Sequence, residues 1–163
     1  LLVADLDEFW FCPSGQPIAA RLADFLPFDV IYANWRIFGS SGLQQQPVSV
    51  RQGFTRCSPE LAAHTERKYL CRTAAIKTAK TMGVHTITGA CSSRTISDNH
   101  SFHLNHYPIQ SVEFFQKVKM TRGGVSTVFS DTVRDMNYFN NYDAPCTAQD
   151  HLLANLVATG VIT

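Results

Sequence analysis

The chain has almost no net charge: 14 lysines and arginines stand against 13 aspartates and glutamates, leaving +1 over 163 residues. A field that small gives no chain-wide attraction for nucleic acid or an anionic membrane, so any basic site has to be local. No run approaches the roughly 20 apolar residues of a bilayer-crossing helix, and there is no basic-then-apolar leader, so membrane association would need segments outside this sequence. The compartment stays open. Cys12, Cys57, Cys71, Cys91 and Cys146 include no Cys-x-x-Cys pair, which argues against a zinc knuckle. Their odd total also excludes a complete internal disulfide framework. Buried thiols are the simplest reading, with one or two disulfides left open. Repeats, low-complexity runs and linker-like segments are lacking too. What remains is ordinary globular usage, 45% hydrophobic and 17% charged, long enough for a single α/β domain over residues 1–163 with a core of its own.

The opening run Leu1-Leu2-Val3-Ala4 stops at Asp5, Asp7 and Glu8. Four apolar residues read as a buried strand, and acids at its carboxyl end would lie where open α/β sheets present ligands. Asp5 and Asp7 share a face of an extended chain, and a bend at the strand end would bring both to one hard cation. A polar strand end followed by an acidic turn explains the same letters. The start at Leu1, inside an expected strand, suggests that earlier residues are missing. His100, His103 and His106 recur every three residues, a poor tridentate spacing on a strand, where only the first and last share a face.

Further along, Ile18, Leu22 and Phe25 form one helical stripe between Pro17 and Pro27. Asp29 to Trp35 reads as a second buried strand, and Gly39-Ser40-Ser41-Gly42 as a polar loop leaving it. A weak strand or irregular segment is predicted for residues 48–56, a helical turn for 60–67, and strands for 68–76, 83–87 and 102–107. Helices are predicted for 109–120, 126–138 and 147–158, the last capped near Thr147.

Taken in order, these blocks resemble a known family. Asp5-x-Asp7-Glu8-Phe9 is followed by Trp35-x-x-Phe38-Gly39, then Lys68 to Ile76 with Val84-His85, then Asn105-His106-Tyr107, Ser111 and the helix beyond it. That order is similar to the family 2-like glycosyltransferases, in the branch related to family 92, over residues 1–123. The resemblance implies a GT-A, Rossmann-like three-layer fold with a mixed sheet, here without its N-terminal half. It also implies a nucleotide-sugar donor, a glycan, lipid or protein acceptor, and a Mn²⁺ or Mg²⁺ ion.

On that resemblance Asp7, with Asp5 through water, and His106 would be the metal ligands, since a divalent ion held this way stabilises a departing nucleoside diphosphate. Trp35, Phe38, Gly39, Ser40 and Gly42 would bind donor or acceptor, an aromatic face meeting the sugar and glycines admitting close backbone approach. Lys117 and Arg122, before Gly123, resemble the family's basic tail and would face donor phosphates. Glu8 is read as a brace for the ligands or as the catalytic base, with Asp98 and Asp150 as other base candidates. Gln110 stands where the family carries a lysine.

Two other classes compete. A haloacid-dehalogenase-like phosphatase also opens on an apolar strand and Asp-x-Asp, but the residues after Asp7 and the lack of a later paired-acid motif depart from it. A non-catalytic carbohydrate-binding or interaction fragment would use the same acids for a structural ion or for none.

Overall fold

A computed structural model describes residues 1–63, 65–78, 81–121 and 134–162. The fold is α/β with a mixed, open sheet. The chain divides into two units: the first is Leu1–Arg36 with Glu60–His106, and the second is Ile37–Pro59 with the described residues of Tyr107–Val161.

In the first unit the sheet is built from β1 (Glu8–Phe11), β2 (Val30–Ile37), β4 (Arg67–Cys71), β5 (Thr95–Ser97) and β6 (His103–His106). Its order is β1-β6-β2-β4, with β5 added beside β2. β1 and β6 are antiparallel, β2 and β4 antiparallel, and β2 and β5 parallel. The apolar run Val30–Ala33 that opens β2 follows from burial on both faces. Ile31 packs with Cys12, Phe25, Leu70 and Phe102, while Val30 and Tyr32 pack with Tyr69, Cys71 and Ile87. The stripe after Pro17 is a helix in two pieces, α1 (Ile18–Arg21) and a 3-10 turn over Leu22–Phe25, and Ile18, Leu22 and Phe25 all face the first of these clusters.

The opening run differs from its expectation. Leu2 makes a single antiparallel bridge to Leu70, with Val3 N–H donating to Tyr69 O and Cys71 N–H to Leu1 O. Leu1 and Leu2 remain 53% and 41% exposed. The run borders β4 as an edge segment, paired there on one side, which is why two leucines stay half in solvent. Asp5 and Asp7 therefore precede β1, and Glu8 opens it, instead of closing a buried strand.

The second unit contains α2 (Val50–Gly53), β3 (Arg56–Cys57), α3 (Val112–Val118), α4 (Met136–Asp143), β7 (Ala148–Gln149) and α5 (Leu152–Ala158), and residues of α3 and α4 pack around Ile109, Phe115 and Phe139. β3 and β7 form a two-stranded antiparallel ribbon. The Ser111 hydroxyl caps α3 by accepting the Phe114 N–H at 3.1 Å, and the Asp135 carboxylate caps α4 by accepting the Tyr138 N–H at 2.9 Å. α2 stands where a weak strand or irregular segment is expected, and residues 60–63 form no helical turn. The 68–76 strand ends at Cys71 and passes into a 3-10 turn over Thr73–Ala75. The 83–87 strand shrinks to one bridge between Met82 and Ile87. α5 starts five residues later than Thr147, after Asp150, whose carboxylate accepts the Leu152 N–H. The helix expected over 126–138 falls outside the described residues up to 133. Among the described residues no helix is long and apolar enough to cross a membrane.

Candidate functional site

Between Asp5 and Glu8 the first unit makes a closed acidic turn. The Glu8 N–H donates to Asp5 O at 3.1 Å, and the Asp5 N–H donates back to Glu8 Oε2 at 2.8 Å. Facing this ring is Lys68 of β4, a lysine with no exposed surface. Its Nζ lies 2.9 Å from Asp5 Oδ2 and 3.7 Å from Glu8 Oε1. An ammonium taken fully out of water needs anionic partners, and Lys68 finds two. Burial pushes the Glu8 carboxyl above its ordinary range, against the opposing effects of the Asp5 amide, the Lys68 ammonium and His106. Glu8 is thus committed to the turn, which suits a brace better than a base.

Asp7 points elsewhere. The β1–β6 register sets Glu8 opposite His106, so the residue before Glu8 reaches the imidazole. Asp7 Oδ1 lies 3.6 Å from His106 Nε2. Two donors each about 2.1 Å from one cation are separated by roughly that distance, so the pair fits a shared divalent ion. His106 is held by the Trp35 ring at 4.2 Å between centroids, and Trp35 in turn meets His85 edge-on at 5.3 Å. His85 is anchored through Nδ1 to the Arg67 carbonyl at 3.0 Å. The buried atoms Trp35 Nε1 and His106 Nδ1 have no hydrogen-bond partner. Buried Glu8 Oε1 lacks a hydrogen-bond partner as well, and such orphans are uncommon in interiors.

The two aspartates expected to share one ion therefore face different cations or cation sites: Asp5 turns to Lys68 and Asp7 to His106. Among the described residues no three His, Cys, Asp or Glu side chains gather around one point. An ion at Asp7 and His106 would take its remaining ligands from water or from diphosphate oxygens, the habit of Mg²⁺-type sites. Trp35 is 8% exposed, so its ring is engaged in positioning His106 more than in offering a face to a sugar. The histidine trio does not assemble. His103 packs edge-on against Phe11, and His100 follows the turn made by Asp98. The Asp98 Oδ1 accepts the His100 and Ser101 N–H groups at 3.0 and 2.6 Å, which explains that carboxylate as a turn former.

The other expected binding residues lie in the second unit. Phe38 is buried and stacks on Tyr107 at 4.7 Å. A Cβ on Gly39 would sit 2.6 Å from Asp143 Oδ1 and 2.8 Å from Cys146 Cβ. The Ser40 N–H donates to that same Asp143 oxygen at 2.6 Å, and the Ser41 hydroxyl accepts the Thr55 and Arg56 N–H groups. Ser41 and Gly42 are left-handed, at φ +54° and +76°. Packing and backbone hydrogen bonds thus account for Phe38, Gly39 and Ser40. Lys117 lies on the exposed face of α3 and pairs with Glu113 one turn away at 2.8 Å. Arg122 and Gly123 fall outside the described residues. Cys146 packs beneath the loop, its thiol pushed up to about 11 by burial and by Asp143, and all five cysteines are free thiols.

Lys68 and His85 are the participants to which the sequence reading gave no role. Lys68 carried a signal, since a lysine followed at once by Tyr69, Leu70 and Cys71 on a buried strand demands a carboxylate partner. His85 carried none beyond its place in the resembling blocks. The chain matches no protein-family model and no curated protein.

Proposed function

We propose that this chain is the C-terminal part of a GT-A-type, metal-dependent glycosyltransferase that moves a sugar from a nucleotide donor to a glycan, lipid or protein acceptor. The observation that carries the reading is the meeting of Asp7, His106 and Trp35. They come from three blocks far apart in sequence and meet in one unit, with Asp7 and His106 at 3.6 Å and Trp35 against the imidazole at 4.2 Å. Asp7 and His106 would hold Mn²⁺ or Mg²⁺. Such an ion, when bound, supplies positive charge to the departing diphosphate.

The chain's own part is preorganisation. Trp35 and the β1–β6 register fix the imidazole, while the Asp5–Glu8 ring fixes the backbone that carries Asp7. Held this way, the two donors need little rearrangement to accept a cation, which favours binding in the reactive geometry.

The test is release of sugar from a panel of nucleotide sugars, with and without Mn²⁺. Asp7→Asn is expected to lower metal-dependent release by about a thousandfold while leaving the thermal midpoint nearly unchanged, and His106→Ala to weaken Mn²⁺ binding by at least about tenfold. Release by Asp7→Asn at the wild-type rate would remove this reading. Cleavage of a simple phosphate ester in place of the nucleotide sugar would favour a phosphatase.

A further inference from the structure

A displacement at an anomeric carbon needs a group to take the acceptor's proton, and the carboxylates weighed for that task are poorly placed. The Glu8 side chain has no exposed surface, so an acceptor cannot reach it. Asp98 and Asp150 accept backbone N–H groups that shape their own turns. The first unit offers an imidazole instead. The Arg67 carbonyl can only accept, so its 3.0 Å contact puts the His85 proton on Nδ1. In the neutral ring the lone pair is then on Nε2, which has no partner among the described residues and keeps contact with solvent. We infer that His85 is the catalytic base, taking the proton of the acceptor hydroxyl in a single displacement that inverts the anomeric centre. This role rests on the sugar-transfer reading and is indifferent to which side chains hold the ion.

Three hydrogen bonds fix the turn that carries His85. The Tyr69 hydroxyl donates to Gly83 O at 2.9 Å, the Gly83 N–H donates to Thr86 O at 2.8 Å, and the Ile87 N–H donates to the Tyr32 hydroxyl at 3.2 Å. Both tyrosines are buried strand residues, so the turn is tied to the sheet on either side of His85 and the ring is set before an acceptor arrives. His85 and His106 share one indole: Trp35 lies 5.3 Å from the first ring and 4.2 Å from the second, between centroids. In inverting glycoside chemistry the groups that assist the incoming and the leaving oxygen stand roughly 6.5–9.5 Å apart, which leaves room for the attacking oxygen. Two rings held on one indole at these distances cannot exceed that span. In the step, the hydroxyl proton passes to His85 Nε2 and the acceptor oxygen bonds to the anomeric carbon. The bond from that carbon to the diphosphate oxygen breaks, its electron pair leaving with the diphosphate, and the imidazolium returns its proton to water.

The experiment takes the nucleotide sugar that wild type cleaves fastest in the Mn²⁺ panel, with methanol as the acceptor probe, and reads the configuration of the methyl glycoside by proton magnetic resonance. Wild type should give the inverted product. His85→Asn keeps an N–H for the Arg67 carbonyl but supplies no base; it should lower kcat at least about a hundredfold, with donor KM and Mn²⁺ affinity within about twofold and the thermal midpoint nearly unchanged. His85→Ala should lose as much, and added imidazole should raise its rate at least about tenfold, a rescue that a packing role would not give. Transfer by His85→Asn at the wild-type rate, a retained configuration in the wild-type product, or a His85→Ala loss that imidazole does not relieve overturns the inference and leaves the glycosyltransferase reading in place. Should His85→Ala fail to fold, His85→Asn and the product configuration decide. If wild type transfers sugar from no donor of the panel, both fall together.

Discussion

In the first unit Lys68 meets Asp5 at 2.9 Å inside the fold, whereas in the second Gly39 leaves a methyl group only 2.6 Å from Asp143. Both places belong to motif blocks that the sequence marks for ligand binding. The acidic turn is organised by charge: Asp5 and Glu8 lie on the Lys68 ammonium, and Asp7 lies on His106. The Phe38–Leu43 loop is organised by space and backbone direction. Gly39 is there because nothing larger fits, and Ser40 and Ser41 serve as hydrogen-bonding partners for the loop itself. A motif residue can thus be retained by chemistry in one region and by packing in another.

This contrast can be broken by substitution. The largest effect is expected at Lys68→Ala, which removes the cation from beneath two carboxylates and should lower unfolding free energy by about 3 kcal/mol, measured by urea denaturation. A loss no larger than that of a surface lysine would show that the turn does not depend on Lys68. Gly39→Ala should follow, at about 2 kcal/mol, because Cys146 Cβ cannot yield without moving α4 and the chain after it. Gly42→Ala tests whether shape or conformation rules the end of that loop. Space there is open but φ is +76°, so the expected loss is about 1 kcal/mol. The smallest effect is expected at Lys117→Ala, whose partner Glu113 is on the same solvated helix face; the thermal midpoint should move by no more than about 2 °C. A larger shift, or a change in donor release, would return Lys117 to the binding residues.

Several elements were legible in the sequence because local rules dominate them. The Ile18, Leu22, Phe25 stripe is bounded by prolines, and β2 opens on four apolar residues, Val30 to Ala33. α3 begins one residue after a capping serine. Elements that depend on distant partners were misread. The opening run reads as a buried strand on its letters, yet its exposure is set by β4 being its partner on one side only. α2 is a four-residue turn whose helicity no periodicity could reveal in so short a span. For the site, Asp7 and His106 were both named as site residues from the sequence, while Lys68 and His85 were not, because a lysine and a histidine acquire partners only when strands far apart in the chain are set side by side.

By itself the sequence determined the α/β character, the places of β2, β4, β6, α1 and α3, and the set of acids and rings from which a site could be made. Periodicity, caps and apolar runs are properties of neighbouring residues, and they suffice for that. Only the tertiary structure decided that Asp5 belongs to Lys68 and Asp7 to His106. Electrostatic pairing falls off within a few ångströms, and which charges come that close is fixed by strand register, which no stretch of sequence states.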